Sequence, residues 1–210
     1  MFAWLRRPKI HQQPQALPAA CIQAMAGQLL ASPYLTQNVL NQRFSTTQGF
    51  SLIFQQVAQL QQHLPEVMPF FELLQDAPAN LYYLNVLAIG QQGQVERHVD
   101  HSIRGYDPDL PLPRRVSVLY LQVPPGPGGE LQLFDHQGRP QHTLKPQTGL
   151  LVHFPGDLPH AVQAVQTSQT LRLSLVCEQY WLSAAQLLAL PEVTLKSTAG
   201  FDTFLQQHLD

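Results

Sequence analysis

The chain has 210 residues, of which 44% are hydrophobic and only 12% charged, and its formal net charge is -2. A chain of this length buries a sizeable core in one folded unit, and its few basic residues argue against nucleic acid as a partner. No run of about 18 apolar residues occurs, so we expect neither a membrane span nor a signal peptide. Cys21 and Cys177 are far apart and form no CxxC pair, which favours a cytoplasmic protein over a disulfide framework or a zinc site.

The first third of the chain is predicted to be helical. Residues 16–32 and 65–75 have helical patterns, and apolar residues recur at helical spacing over 50–64. Thr46 or Thr47 is available as the N-cap of the latter helix. These helices are expected to pack on the outside of the domain that follows.

From residue 80 onward the pattern changes to short strands separated by turns rich in Gly and Pro. Such turns favour antiparallel hairpins over helical crossovers. Seven or eight strands of this kind predict a jelly roll, so the fold class is mainly β with N-terminal helices (α+β). The predicted strands lie at 81–90, 94–100, 115–123, 129–135, 149–154, 160–165 and 170–181.

The tail contains two short helical patterns, at 183–190 and 202–209. We therefore expect three regions: a helical region at 1–79, a jelly roll at 80–182 and a helical extension at 183–210.

The segment ERHVDHS, residues 96–102, places two imidazoles beside a carboxylate. On a strand over 94–100, His98 and Asp100 point to the same side. His160, at the start of a later predicted strand, offers a third ligand. Two histidines and one carboxylate on one face of an octahedron leave three open positions, which suits a non-haem Fe(II) that activates dioxygen. Because the HxD spacing alone is common, it needs support from the rest of the chain.

That support comes from the alternation in TLRLSLV. One face carries Leu171, Leu173 and Leu175, and the other carries Arg172, Ser174 and Val176. An arginine on a buried strand needs an anion as its partner. Its planar guanidinium binds a carboxylate through two bonds, so a dicarboxylate whose other end chelates iron would provide that partner.

Taken together, these motifs resemble the 2-oxoglutarate and Fe(II)-dependent oxygenases, and within them the prolyl-hydroxylase branch. ERHVD, LYLQ, GGELQLF, PHAV and LRLSL occur in the family's order over roughly residues 80–182. The resemblance implies a double-stranded β-helix, Fe(II) as cofactor, 2-oxoglutarate as co-substrate and ascorbate as an optional reductant. The iron ligands implied are His98, Asp100 and His160, and the 2-oxoglutarate residues are Arg172, Tyr120 and, as a weaker candidate, Ser174.

One position departs from the family pattern. The branch often has a tyrosine ten residues before the first iron histidine, where this chain has Ala88. Tyr82 or Tyr83 is a candidate to compensate.

The implied reaction couples oxidative decarboxylation of 2-oxoglutarate to hydroxylation of an unactivated C–H bond by dioxygen. A peptidyl substrate, with a prolyl residue as the first choice, is expected by resemblance, and a free amino acid or other small molecule is the alternative. The segment 101–115 is long for a hairpin loop and rich in Pro, Arg and Asp, so it is predicted to contact the substrate.

Three other functions are weighed against this one. HVDH matches half of the HxHxDH motif of metallohydrolases, but Glu96 stands where the first histidine belongs. A cupin-like isomerase would share the architecture but needs no inward arginine. A catalytically silent binding module is favoured by Ala88 and disfavoured by the intact triad. The remaining histidines of the β region, predicted to be surface or loop residues, are His101, His136, His142 and His153.

Overall fold

The computed structural model describes residues 10–37, 47–75, 78–166 and 169–197. Its helices are α1 (Ala19–Leu30), α2 (Val57–His63), α3 (Met68–Glu72) and α4 (Ala184–Leu188), with 3₁₀ turns at Pro65–Val67 and Ser102–Gly105. Its strands are β1 (His11–Gln13), β2 (Thr36–Gln37), β3 (Thr47–Phe54), β4 (Leu81–Ile89), β5 (Val95–His98), β6 (Arg115–Gln122), β7 (Leu131–Phe134), β8 (Pro140–Leu144), β9 (Leu151–Pro155), β10 (His160–Val162), β11 (Arg172–Tyr180) and β12 (Val193–Lys196). Within these ranges, no helix has the length and apolarity needed to cross a bilayer.

The strands form two antiparallel sheets. The larger sheet has the order β1-β9-β6-β11-β4-β3-β12, with β2 beside β3, and the smaller sheet has the order β5-β10-β7-β8. The chain alternates between the sheets, because β5 leads to β6, and β9 to β10. This architecture confirms the predicted jelly roll, a double-stranded β-helix.

The larger sheet is buried on both faces. Its outer face packs against α1, α2 and α3 in a cluster that includes Leu29, Leu60, Phe71, Val86 and Leu175. Its inner face packs against the smaller sheet in a second cluster, which includes Leu87, Val118, Leu131, Phe154 and Val162. Because both faces are covered, its central strands read as nearly continuous apolar runs.

The predicted helix over 50–64 is wrong in its first half, because β3 occupies those positions and α2 begins only at Val57. β3 places Phe50 against the outer cluster and Ile53 against a third cluster on the other face. A strand covered on both sides has a continuous apolar run, which the helical period also fits. Thr47, one of the two candidate N-caps, lies in this strand, and the other is outside the described residues.

The other predicted elements differ less from the structure. α1 lies within 16–32, the 3₁₀ turn at Pro65–Val67 and α3 lie within 65–75, and α4 lies within 183–190. All seven predicted strands are present, whereas the short strands β1, β2, β8 and β12 were not predicted. The pattern at 202–209 lies outside the described residues.

His153 corrects a further prediction, because it is buried in β9 and not on the surface. β9 lies between β1 and β6 in the larger sheet, so both of its edges are paired. The Nδ1 atom of His153 lies 2.8 Å from the hydroxyl of Ser117, which in turn donates to Gln179 Oε1. These contacts satisfy the ring, and they explain how an imidazole is accommodated in an apolar strand.

Candidate metal centre and co-substrate pocket

Three side chains meet at one edge of the smaller sheet. His98 ends β5, His160 begins β10, and the two residues lie opposite each other in the ladder, with ring centroids 4.3 Å apart. Asp100 follows two residues after β5, and its carboxylate oxygens lie 3.3 Å from His98 Nε2 and 3.5 Å from His160 Nε2. The three ligand atoms lie within 4.8 Å of one another. The structure thus brings together the three residues that the sequence proposed as metal ligands.

Backbone carbonyls fix the orientation of both imidazoles. His98 Nδ1 lies 2.7 Å from the carbonyl oxygen of Glu96, and His160 Nδ1 lies 3.1 Å from that of Leu158. A carbonyl oxygen only accepts, so each Nδ1 carries a proton, and in the neutral ring Nε2 keeps its lone pair. Both lone pairs then face the carboxylate of Asp100, which is unfavourable unless a proton or a metal ion lies between them. This donor set fits a divalent metal ion.

The electrostatics of the cluster also favour the ligating forms. Burial by itself would raise the pKa of Asp100, but His160 and His98 together hold it below its ordinary value. Burial lowers the pKa of His160, although Asp100 opposes that change. A carboxylate that stays ionised and an imidazole that stays neutral are the forms that bind a metal.

The candidate metal cluster, formed by His98, Asp100 and His160, lies in one wall of a cavity of about 300 Å³ between the two sheets. The larger sheet provides the facing wall, with inward side chains from β4, β6 and β11. These include Asn85, Leu87, Tyr120, Arg172, Ser174 and Glu178. The cavity therefore contains every residue that the sequence proposed for metal or co-substrate binding.

Arg172 is an isolated buried cation at one end of this cavity. Only 2% of its surface is exposed, and its Nε and Nη1 atoms have no hydrogen-bond partner among the described residues. Its guanidinium carbon lies 4.9 Å from the ring centroid of Tyr120, whose hydroxyl also has no hydrogen-bond partner there. Burial raises the pKa of Tyr120, an effect that Arg172 opposes. Unsatisfied donors at this depth are costly, so their arrangement fits an anionic ligand such as a carboxylate.

Two neighbours complete this end of the cavity. The Ser174 hydroxyl points inward, as the alternation predicted, and donates to the carbonyl oxygen of Leu87 at 3.5 Å. Gly129 has a φ of +76°, and a Cβ added there would lie 3.3 Å from Arg172 Cδ. The glycine thus lets the chain entering β7 pass close to the arginine stem.

Ala88 does not face the cavity at all. It belongs to the outer cluster beneath the helices, as does Tyr82. Tyr83 does line the cavity, but it pairs with Glu178, six residues along β11 from Arg172 (178 − 172). At about 3.3 Å per residue the separation is about 20 Å. Neither tyrosine therefore reaches the carboxylate end, and Leu87 forms the β4 wall beside Ser174.

Glu178 is a cavity residue that the sequence reasoning missed. It is buried and accepts hydrogen bonds from the Ser102 hydroxyl at 2.5 Å, the Ser102 backbone N–H at 3.3 Å and the hydroxyl of Tyr180. Burial, reinforced by the nearby charge of Asp100, raises its pKa to about 8. The alternation along β11 indicates its orientation, because Glu178 continues the inward face that starts at Arg172.

The segment after Asp100 is ordered rather than an open excursion. It begins with the 3₁₀ turn at Ser102–Gly105 and buries Ile103 and Leu110 against the third cluster. Arg104 Nε donates to the carbonyl oxygen of Leu110 at 2.6 Å, which closes the turn. His101 was predicted to lie in a loop and does so, but it also lines the cavity.

Comparison with known families identifies the region that carries this cavity. The family model of the 2OG-Fe(II) oxygenase superfamily matches residues 83–180, which run from β4 to the end of β11. No curated protein matches the chain.

Solved structures share the fold at low sequence identity. A prolyl-4-hydroxylase from Pseudomonas putida aligns with a TM-score of 0.58 and 23% identity, covering 83% of this chain and 93% of that one. A Trichoplax adhaerens prolyl hydroxylase, in complex with a peptide fragment of hypoxia inducible factor, aligns with a TM-score of 0.58 and 14% identity, covering 81% and 83%. A Burkholderia pseudomallei oxidoreductase of the 2OG-Fe(II) oxygenase family aligns with a TM-score of 0.55 and 15% identity, covering 85% and 89%.

Proposed function

We propose that the chain is a 2-oxoglutarate- and Fe(II)-dependent dioxygenase, which the match of residues 83–180 to the 2OG-Fe(II) oxygenase superfamily supports, and that His98, Asp100 and His160 hold its iron. One observation carries this assignment. Two imidazoles whose Nδ1 atoms are bound by carbonyl oxygens present their Nε2 atoms to one carboxylate, an arrangement that suits a bound metal ion. Three protein ligands on one side leave positions for the co-substrate and dioxygen.

Arg172 and Tyr120 are proposed to bind the distal carboxylate of 2-oxoglutarate, with Ser174 beside them. The unbonded nitrogens of Arg172 and the unbonded hydroxyl of Tyr120 support this role, because a carboxylate would accept from both. Leu87 and Val162 line the cavity with apolar groups, which limit the access of water to the ligand.

When bound, Fe(II) would activate dioxygen, which is the oxidant: one oxygen atom would enter succinate as 2-oxoglutarate loses carbon dioxide, and the other would hydroxylate an unactivated C–H bond. The residues of this chain ligate, orient and exclude water. We place this chemistry in residues 80–182, which 1–79 and 183–210 flank and to whose larger sheet they add β1, β2, β3 and β12. The free cysteines, Cys21 and Cys177, support a reducing compartment such as the cytoplasm.

The substrate is proposed to be a peptidyl residue, prolyl or similar. Two of the solved structures with this fold are prolyl hydroxylases, one of them bound to a peptide, and the segment 101–115 lies beside the metal cluster, where it can contact a chain. Hydroxylation of a free amino acid is the second candidate. The side chains of Glu178 and Lys196 on the cavity wall favour it, because they could bind the amino and carboxylate groups of an amino acid.

The test starts with anaerobic protein mixed with Fe(II) and 2-oxoglutarate, where the chelate should produce a metal-to-ligand absorption band. Alanine at His98, Asp100 or His160 should abolish or strongly weaken the band and the turnover. His101→Ala is the matched control, because this imidazole lines the same cavity and should leave the band unchanged. A normal band in two of the three ligand variants would contradict the proposed centre.

Turnover then separates the substrate candidates. Succinate release is measured with prolyl peptides and with free amino acids, with and without ascorbate. Succinate release that increases only with prolyl peptides supports the first candidate. Succinate release that increases only with free amino acids supports the second candidate instead.

A further inference from the structure

Asp100 has little local support for its position. β5 ends at His98, so Asp100 lies beyond the last ladder contact of the smaller sheet. Its Oδ2 atom has no hydrogen-bond partner among the described residues, and its oxygens otherwise face only the two imidazoles. A carboxylate that binds a metal together with two imidazoles must be held in position to within about 0.5 Å. Asp100 therefore depends on contacts made by its neighbours in the chain.

Those contacts come from Ser102, two residues further on. Its hydroxyl donates to Glu178 Oε1 at 2.5 Å, and its backbone N–H donates to Glu178 Oε2 at 3.3 Å. Glu178 is only 3% exposed, and it lies on β11 in the centre of the larger sheet. The two bonds, which we call the Ser102–Glu178 clasp, thus tie the segment after β5 to the opposite sheet across the cavity.

We propose that Glu178 is a positioning residue for Asp100, acting through the Ser102–Glu178 clasp. The clasp fixes the main chain two residues from the carboxylate, in a segment with no strand pairing of its own. The hydrogen bonds of Glu178 among the described residues go to Ser102 and Tyr180 and not to the proposed metal ligands, so its positioning effect on the metal would pass through the backbone. This inference rests on the proposed role of Asp100 as an iron ligand.

A second explanation for any effect of Glu178 is its charge. A buried carboxylate near Asp100 attracts a cation whether or not it holds Ser102, so Glu178→Gln alone does not separate the two effects. Ser102→Ala separates them, because it removes one bond of the clasp and leaves the charge unchanged. Ser102→Thr restores the hydroxyl. Tyr180→Phe removes the third donor to Glu178 without altering the clasp.

The experiment is a titration of the metal-free protein with Co(II), followed by its visible absorption, which reports affinity and ligand geometry without turnover. Partners outside the first coordination shell typically contribute about 10- to 100-fold to metal affinity. We expect Ser102→Ala and Glu178→Gln each to weaken Co(II) binding by about tenfold, and Ser102→Thr and Tyr180→Phe to stay near wild type. Thermal unfolding of each metal-free variant verifies that it is folded.

Each alternative outcome overturns the proposal in a different way. Wild-type Co(II) affinity in Ser102→Ala, together with loss in Glu178→Gln, would assign the effect to charge. An equal loss in Tyr180→Phe would assign it to general support of the fold. His160→Ala is titrated in parallel, and if it binds Co(II) like wild type, the metal centre itself is misassigned and the positioning role falls with it.

Discussion

Replacing Arg172 by leucine should separate the binding of 2-oxoglutarate from the binding of iron. The guanidinium is buried, two of its nitrogens have no hydrogen-bond partner among the described residues, and the metal cluster belongs to the other sheet. Each charge-assisted bond to a carboxylate contributes about 1.5 to 3 kcal/mol. Removing one partner of a buried charge pair costs about 2 to 5 kcal/mol, so co-substrate affinity should fall by at least about 30-fold.

The assay measures the two affinities separately. Metal affinity is obtained by Co(II) titration, and 2-oxoglutarate affinity by calorimetry on the metal-loaded protein under anaerobic conditions. Arg172→Lys should fall between wild type and leucine, because an ammonium keeps the charge but lacks the planar fork. Unchanged co-substrate affinity in the leucine variant would refute the assignment, and Arg172 would then need another anion as its partner.

Arg115 is the matched control for this experiment. It is also a buried arginine of the larger sheet, but the protein itself satisfies it: Nε donates to Gln179 Oε1 at 2.8 Å and Nη2 to the carbonyl oxygen of Leu74 at 3.0 Å. Arg115→Leu should therefore lower the free energy of unfolding and leave 2-oxoglutarate affinity unchanged. Arg172→Leu should lower 2-oxoglutarate affinity and change the free energy of unfolding little, because without ligand the charge of Arg172 gains little from protein partners.

Three further predictions concern the rest of the cavity. Tyr120→Phe removes a buried hydroxyl and should weaken 2-oxoglutarate binding by about 1 kcal/mol, measured by the same calorimetry, with unchanged Co(II) affinity. Deletion of residues 106–109, which spares the clasp, should raise KM for the primary substrate or uncouple succinate formation from hydroxylation, while a fall in metal affinity would contradict a substrate-binding role. The pKa of Glu178 is raised to about 8 from an ordinary 4.5. Between pH 4.5 and pH 8 the folded metal-free protein therefore holds a proton that the unfolded chain releases, so its stability falls as pH rises. Glu178→Gln should flatten this part of the pH profile of urea unfolding, and an equal slope in both proteins would show that the group titrates normally.

The sequence predicted that His98, Asp100 and His160 would meet and that Arg172 would face inward, because alternation along a strand is a local property. The pairing of His98 with His160 needed only two strand ends, and the inward face of β11 followed from the leucines on its other side. Glu178 continues that face, but a carboxylate near a strand end has no distinctive pattern, and its partner Ser102 is 76 residues away. Contacts of that separation do not show in a single sequence.

The wrong elements have a different cause. β3 was read as a helix because a strand covered on both faces shows no period-two alternation of apolar and polar residues. Ala88 was read as a defect in the co-substrate wall, although position 88 faces the helices. Its neighbours in β4 explain the error: the sequence LYYLNVLAIG is apolar on both faces, so the inward face could not be identified without the paired strands.

A single strand, β11, organises both ends of the cavity. Arg172 at its start faces the co-substrate end, and Glu178 near its end holds the segment that carries Asp100. The two residues are about 20 Å apart along the strand, on the same face. β11 lies between β6 and β4, with hydrogen bonds to both, so its pairing fixes the spacing between the two residues proposed to support binding. A change in the register of β11 would displace the proposed anion anchor, Arg172, and the proposed support of Asp100, Glu178, together, so the inward alternation of a single strand serves both ends of the cavity.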